Sequence, residues 1–298
     1  MNKIVAIITS FNPNLEILKF LLKAIEHQVA HIVIVDNGTS KKEIRVIKQF
    51  IPDNCILIEN EYNFGVSEAI NRGVLEAKKL CASYLVVFDQ DSRPAQDMIE
   101  QLLSVMMHNK KKGKKVAAAG PKYTDVKGYE TTPFTRLDGR RLKKITCSDY
   151  ETVFVGHLIT SGCFIAMDAL DDVGYMDPGL FIDYVDTEWC LRATNKGYML
   201  LGVGAAKMQH DLGDDVVEFC GRTIPVHSAL RNYYLIRNGI WMLWHPLVSG
   251  NWKLMNMIRL LKIYIILSLF IGPRFRNWRM MTIGIWHGII GKMGKYKE

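Results

Sequence analysis

Four short apolar runs, at 3–9, 31–35, 55–59 and 84–88, mark the first third of the chain, and segments of helical length at 14–27, 41–50 and 66–81 separate them. The runs are rich in Ile, Val and Leu and do not alternate apolar with polar, which is the signature of strands covered on both faces. Strand followed by helix, repeated in this order, predicts an α/β fold with a mostly parallel central sheet flanked by helices. Ligands of open α/β sheets gather at the carboxyl ends of the strands, so the chemistry is expected there.

The second half is less regular. Residues 123–151 are poorly patterned and read as an insertion or mobile loop, after which 157–167 forms an apolar strand interrupted by Ser161-Gly162. Such an interruption predicts close backbone approach. A turn and a helix-like segment follow over 175–192, with Asp183, Asp186 and Glu188 packed into six residues ahead of Arg192. One of these carboxylates is a candidate base and another a structural partner of Arg192, while the plain alternative is an acidic helix N-terminus stabilised by its dipole. Past a strand at 199–203, Gln209-His210-Asp211 places an imidazole at one more strand end.

Polar residues stand just beyond each early apolar run: Thr9-Ser10, Asp36-Asn37-Gly38, Asn60 through Asn63-Phe64-Gly65, and Asp89-Gln90-Asp91. Asp89 and Asp91, two apart on extended backbone, point to one side and can meet at a hard cation. The competing role is to cap a helix that Pro94 starts. Asp36 and Asn37 can hydrogen-bond a base or ribose, and Asn63, Gly65 and Asn71 predict a tight turn opening a helix toward a ligand. Singly, each is also ordinary turn punctuation. Neither G-x-G-x-x-G after the first strand nor G-x-x-x-x-G-K-[ST] occurs, which leaves strand-end carboxylates and a metal to hold any nucleotide.

With 298 residues and 49% hydrophobic side chains the chain has material for a full core, and disorder is excluded. Its six cysteines form no C-x-x-C pair and read as reduced, cytosolic thiols; the first apolar run is too short for a signal-peptide core, so no export is expected. The net charge of +8 hides a division: 219–297 holds twelve Lys and Arg and no acid, whereas 1–218 carries 26 basic and 29 acidic side chains. Five of the six tryptophans fall in the acid-free region, and its apolar core, 263–271, broken only by Ser268, is too short to span a bilayer. Helices lying in an anionic membrane interface fit this composition, with packing on the catalytic body or in a homodimer as the alternative. Nucleic acid is not expected, because no base-reading module accompanies the charge.

Taken in order, Ala6 to Phe11, Val35-Asp36-Asn37, Asn63-Phe64-Gly65 with Asn71, Phe88 to Ser92, Ser161-Gly162, Phe181 to Arg192 and His210-x-x-Gly213 resemble the inverting family 2 glycosyltransferases of the GT-A fold, and within them bacterial rhamnosyltransferases. The resemblance covers about 3–240. It implies a catalytic domain at 1–220, with a nucleotide-sugar half near 1–92 and an acceptor half near 116–220, ahead of a basic, Trp-rich helical region at 221–298. It further implies a nucleotide-diphosphate sugar donor contacted by Thr9, Ser10, Asp36, Asn37, Asn63, Gly65, Asp89, Gln90, Asp91, Ser161 and Gly162. Asp91, with His210, would bind a Mg²⁺ or Mn²⁺ that bridges the diphosphate. Asp186 falls where the family has its catalytic base, although Val185 stands where a Glu is common, which keeps Glu188 and Asp183 as alternatives for that base; both are otherwise expected to bind the acceptor. The reading that follows is L-rhamnose transfer from dTDP-β-L-rhamnose to a lipid-linked glycan, by an enzyme peripheral to the cytoplasmic face of the inner membrane. A UDP-sugar donor and a non-catalytic sugar-nucleotide scaffold are its alternatives.

Overall fold

The computed structural model describes residues 2–125, 133–138, 141–210, 215–219 and 222–297. The chain divides into two units, one made of Met1–Asp138, Leu142–Asp177 and Val185–Asp211, the other of Gly139–Arg141, Pro178–Tyr184 and Leu212–Glu298.

The first unit begins β1 (Ile4–Ser10), α1 (Leu15–Ile25), β2 (His31–Asp36), α2 (Lys41–Ile47), β3 (Cys55–Glu59), α3 (Val66–Lys79) and β4 (Tyr84–Asp89), in the expected alternation. All seven residues of β1 are buried. Successive side chains of a strand face opposite ways, so both faces are covered and the missing alternation in the sequence is explained. α1 starts at Asn14, whose side chain accepts the amides of Glu16 and Ile17, and it buries Leu18, Leu21, Leu22 and Ile25 along one stripe. β1 lies between β2 and β4, parallel to both, and β3 lies parallel beyond β2.

The unit continues with β5 (Arg93–Pro94), α4 (Met98–Lys111), β6 (Val116–Asp125), β7 (Phe134–Asp138), β8 (Arg141–Ile145), β9 (Thr152–Val155), β10 (Cys163–Ala166), α5 (Met167–Val173), α6 (Val185–Asn195) and β11 (Met199–His210). Among the described residues the sheet has nine strands in the order β3-β2-β1-β4-β10-β6-β11-β5, with β9 paired to β11. It is mixed rather than mostly parallel, because β10 runs antiparallel to both β4 and β6. The Gly162 amide donates to the Val87 carbonyl at 2.7 Å, so the chain enters β10 beside the carboxyl end of β4 and runs back along it.

Other expectations shift as well. The strand at 157–167 shrinks to Cys163–Ala166, while the one at 199–203 extends through His210. Part of 123–151 is ordered as the end of β6 and the β7–β8 pair; 126–132 lies outside the described residues. Pro94 sits in a two-residue bridge to β11, and α4 starts only at Met98, so neither Asp89 nor Asp91 caps a helix.

The second unit holds the hairpin β12 (Asp215–Phe219) and β13 (Arg222–Val226), then α7 (Ala229–Trp244), α8 (Gly250–Leu269) and α9 (Arg274–Ile289). It therefore takes 178–184 and β12 in addition to the region expected from 221. Ile236, Leu260, Leu267, Ile271 and Met281 form its apolar core. Arg237 is fully buried within this unit, donating to the carbonyls of Gly179, Leu180 and Gly294 and lying over the Tyr233 and Tyr234 rings. Asn238 donates to the carbonyls of Leu180, Ile182 and Asp183. These bonds hold Phe181, Asp183 and Tyr184 at φ of +63°, +62° and +64°, a conformation costly for residues with a Cβ unless the surroundings enforce it. No described helix is long and apolar enough to cross a membrane.

Candidate active site

Sheet register aligns the first polar strand ends before any side chain is considered. Ser10 lies opposite Asp36, Asp36 opposite Glu59, and Thr9 opposite Asp89. Hydrogen bonds then fix the loops above them. Asp36, 1% exposed, accepts the Gly38 and Thr39 amides on Oδ2 at 3.0 and 2.8 Å and the Thr39 hydroxyl on Oδ1 at 2.5 Å. Asn37 donates to the Gly65 carbonyl at 3.1 Å and accepts from Asn60 at 2.9 Å. Asn63 accepts the Gly65 amide at 2.8 Å. Gly65 stands before α3 at φ +93° and ψ 164°, a region reserved for glycine, so this turn depends on it. Asn71 does not open the turn: it exchanges two hydrogen bonds with the Met176 backbone, at 2.8 and 3.0 Å, and ties α3 to the segment before α6.

At the end of β4, the Gln90 side chain accepts the Phe11 amide at 2.8 Å, linking the loops after β1 and β4. Next to it the Ser92 and Ser161 hydroxyls meet at 2.5 Å in full burial, and Tyr123 donates to the Ser161 carbonyl at 2.8 Å. Gly162 has φ +73°, and a Cβ there would come within 2.8 Å of Pro121 Cγ, which identifies the close approach that the Ser161-Gly162 break foretold. Two oxygens at these strand ends are buried without a hydrogen-bond partner: Ser10 Oγ and Asp91 Oδ1. A carboxylate oxygen removed from water needs a partner, and a hard divalent cation suits it, so Asp91 fits the metal role expected of it. The backbone of His210 ends β11 opposite Asp125, and its side chain lies outside the described ones. Among the described residues, no three His, Cys, Asp or Glu side chains converge as a metal site.

The acidic segment separates into three different environments. Asp183 belongs to the second unit, with its Oδ1 3.6 Å from Arg231 Nε. Glu188, with a side chain 3% exposed, receives Arg192 Nε at 2.6 Å and Nη2 at 2.8 Å. Arg192 also donates to the carbonyls of Val173 and Tyr175, so Glu188 is the carboxylate of the three that acts as its structural partner. Asp186 lies in the first turn of α6 and accepts the Thr187 amide on Oδ1 at 2.6 Å. His157 Nε2 stands 3.5 Å from that same oxygen, an ion pair when the imidazole is protonated.

These surroundings set the charge of Asp186. Burial against Val87, Cys163, Trp189 and Cys190 pushes its pKa up, but the charge and contact of His157 and the Thr187 bonds outweigh it, holding the carboxyl below the ordinary Asp range. Asp186 is thus ionised at neutral pH and able to accept a proton. Burial raises the Cys190 thiol to about 12 and that of Cys163 well above its usual value, so neither of these two neighbours is a thiolate at neutral pH. His157 was missed in the sequence, and the available signal was a lone imidazole in front of an apolar run.

A mixed α/β sheet with polar strand ends, an unpartnered Asp91 oxygen and an ionised carboxylate at a nearby helix start has the GT-A layout of sugar-nucleotide glycosyltransferases. The chain belongs to glycosyl transferase family 2, whose family model matches residues 5–174. It is 34% identical over 246 residues to the dTDP-rhamnosyl transferase RfbF of Shigella flexneri, covering 81% of this chain and 80% of that protein. In structure it is similar to GalNAc-T7 with UDP, GalNAc and Mn²⁺, with TM-score 0.60 and 15% identity, covering 97% of this chain and 56% of that one. It is also similar to residues 1–349 of Staphylococcus aureus TarS in complex with UDP-GlcNAc, with TM-score 0.60 and 12% identity over 96% of this chain and 81% of the other. At these identities the two structures speak to fold alone.

Proposed function

We propose that this chain is an inverting rhamnosyltransferase, moving L-rhamnose from dTDP-β-L-rhamnose to a lipid-linked glycan during synthesis of a surface polysaccharide such as O-antigen or capsule. The observation that carries the reaction is Asp186, a carboxylate kept ionised at the start of α6. The likeness to a dTDP-rhamnosyl transferase supports the donor. Asp186 removes the proton of an acceptor hydroxyl while that oxygen attacks the anomeric carbon on the face opposite the diphosphate. One C–O bond forms as the bond to the diphosphate breaks, and the configuration inverts.

The remaining residues bind and orient. Ser10 and Asp89 serve the nucleoside side of the donor; Asn37, Asn63, Gly65 and Gln90 fix the loops that receive it. Asp91, with His210, would hold a Mg²⁺ or Mn²⁺. When bound, such an ion neutralises the charge that develops on the departing diphosphate. The place of action on this reading is the cytoplasmic face of the inner membrane.

A panel of dTDP- and UDP-sugars, assayed with a lipid-linked acceptor with and without EDTA, tests the reading. Preferred turnover of dTDP-β-L-rhamnose, lost on chelation, is expected. Preference for a UDP-sugar would replace the donor, and binding without turnover of any sugar would leave a non-catalytic scaffold.

A further inference from the structure

α8 presents apolar residues on two faces. One, through Leu260 and Leu267, enters the core of the second unit. The other consists of Leu254, Met257, Ile258, Leu261, Ile265 and Leu269, all exposed. At 100° per residue these six fall within an arc of about 120°, and they run about 22 Å along the axis. Exposed Lys262 borders the arc on one side, and Lys253 lies beyond its other edge.

α9 adds a second outward stripe, Phe275, Trp278, Trp286 and Ile289, with Phe275 74% exposed. Thr282, in the middle of that stripe, is hydrogen-bonded at 2.9 Å to Tyr264, at the edge of the α8 arc. The two stripes thus meet in one patch. Scattered surface hydrophobics are ordinary, but a continuous patch of this length marks an interaction surface.

We propose that this patch lies in the plane of an anionic phospholipid surface, the α8 arc and the α9 aromatics entering the acyl boundary while Lys and Arg stay at the headgroups. Charge selects this occupant. The region 219–297 has twelve Lys and Arg and no acid, and exposed Arg274, Arg276 and Arg279 open α9. A second copy seated on the same face would set like charge against like, whereas anionic headgroups offset it. Long basic side chains at the edges of an apolar arc can reach the headgroups while their stems cover hydrocarbon. With no described helix able to cross a bilayer, the contact is in-plane. The proposal rests on the second unit and stands or falls separately from sugar transfer.

The test is flotation of the full chain with vesicles of phosphatidylglycerol and phosphatidylcholine, against vesicles of phosphatidylcholine alone. Leu261→Glu with Ile265→Glu is the apolar variant and Arg276→Glu with Arg279→Glu the charge variant; far-UV circular dichroism verifies folding and light scattering reads the oligomeric state. Binding to the anionic vesicles is expected, weaker on neutral ones, with each double variant losing roughly ten-fold or more. The proposal is overturned if the wild-type chain does not bind anionic vesicles or if the folded apolar variant binds as well as wild type. It is equally overturned if wild type is a dimer that the apolar variant dissociates without changing vesicle binding, since the patch would then belong to a second copy. Vesicle binding without rhamnose transfer would refute the proposed function and leave this surface standing.

Discussion

Perturbing the Glu188–Arg192 pair separates the structural carboxylate of the acidic segment from the chemical one. Glu188 is almost completely buried, and Arg192 binds it through two nitrogens while also holding the Val173 and Tyr175 carbonyls. Arg192→Met would leave a buried carboxylate and two carbonyls without their donor, at a cost of about 3–5 kcal/mol. Glu188→Gln keeps an acceptor for Arg192, whose side chain is 19% exposed, and costs about 1–3 kcal/mol. Combining Arg192→Met with Glu188→Leu should recover a large part of the loss, because a well-packed apolar pair avoids the desolvation of two charges. Urea unfolding followed by circular dichroism measures each change through the midpoint at constant slope. Folded Glu188→Gln should turn over donor within a few-fold of wild type. A Glu188→Gln chain with untouched stability but abolished turnover would instead make Glu188 a chemical group.

Two further predictions concern the site. His157→Gln removes the main influence opposing the burial of Asp186, so the Asp186 pKa rises and the acidic limb of kcat/KM moves to higher pH; an unmoved pH profile would contradict the pairing. In wild type, the depressed pKa means that ionised Asp186 stabilises the fold above its unfolded pKa, a contribution lost as pH falls through the folded value. Gly65→Ala places a Cβ at φ +93° and ψ 164°, and should cost about 1–3 kcal/mol in urea unfolding while raising the donor KM. Unchanged stability and KM would show that the turn before α3 relaxes freely.

The first four strands were readable because β1, β2 and β4 are buried on both faces and β3, half-buried at the sheet edge, has the same Ile- and Leu-rich composition; the polar residues ending each run fell into one row through parallel register. β10 was not readable in its direction or length. Its four residues, Cys163–Ala166, are set by where Gly162 meets Val87 rather than by any local pattern. The boundary before Asp186 was hidden for a related reason. Phe181, Asp183 and Tyr184 adopt positive φ without being glycine, enforced by Arg237 and Asn238 more than fifty residues away in sequence. Asp36, Asn37 and Glu188 also have internal partners that residue type did not reveal: Thr39, Gly65 and, for Glu188, the Arg192 guanidinium. Asp186 and Asp91 differ in that one is poised by His157 and the other keeps an unpartnered oxygen.

The central claim is that Asp186 is the base of a single displacement. Initial rates of dTDP-β-L-rhamnose turnover with a lipid-linked acceptor, compared between wild type and a folded Asp186→Asn chain, test it most directly. In the variant kcat should fall about 10²–10⁴-fold, the usual worth of a positioned general base, with donor binding preserved. Near-normal turnover by folded Asp186→Asn would contradict it.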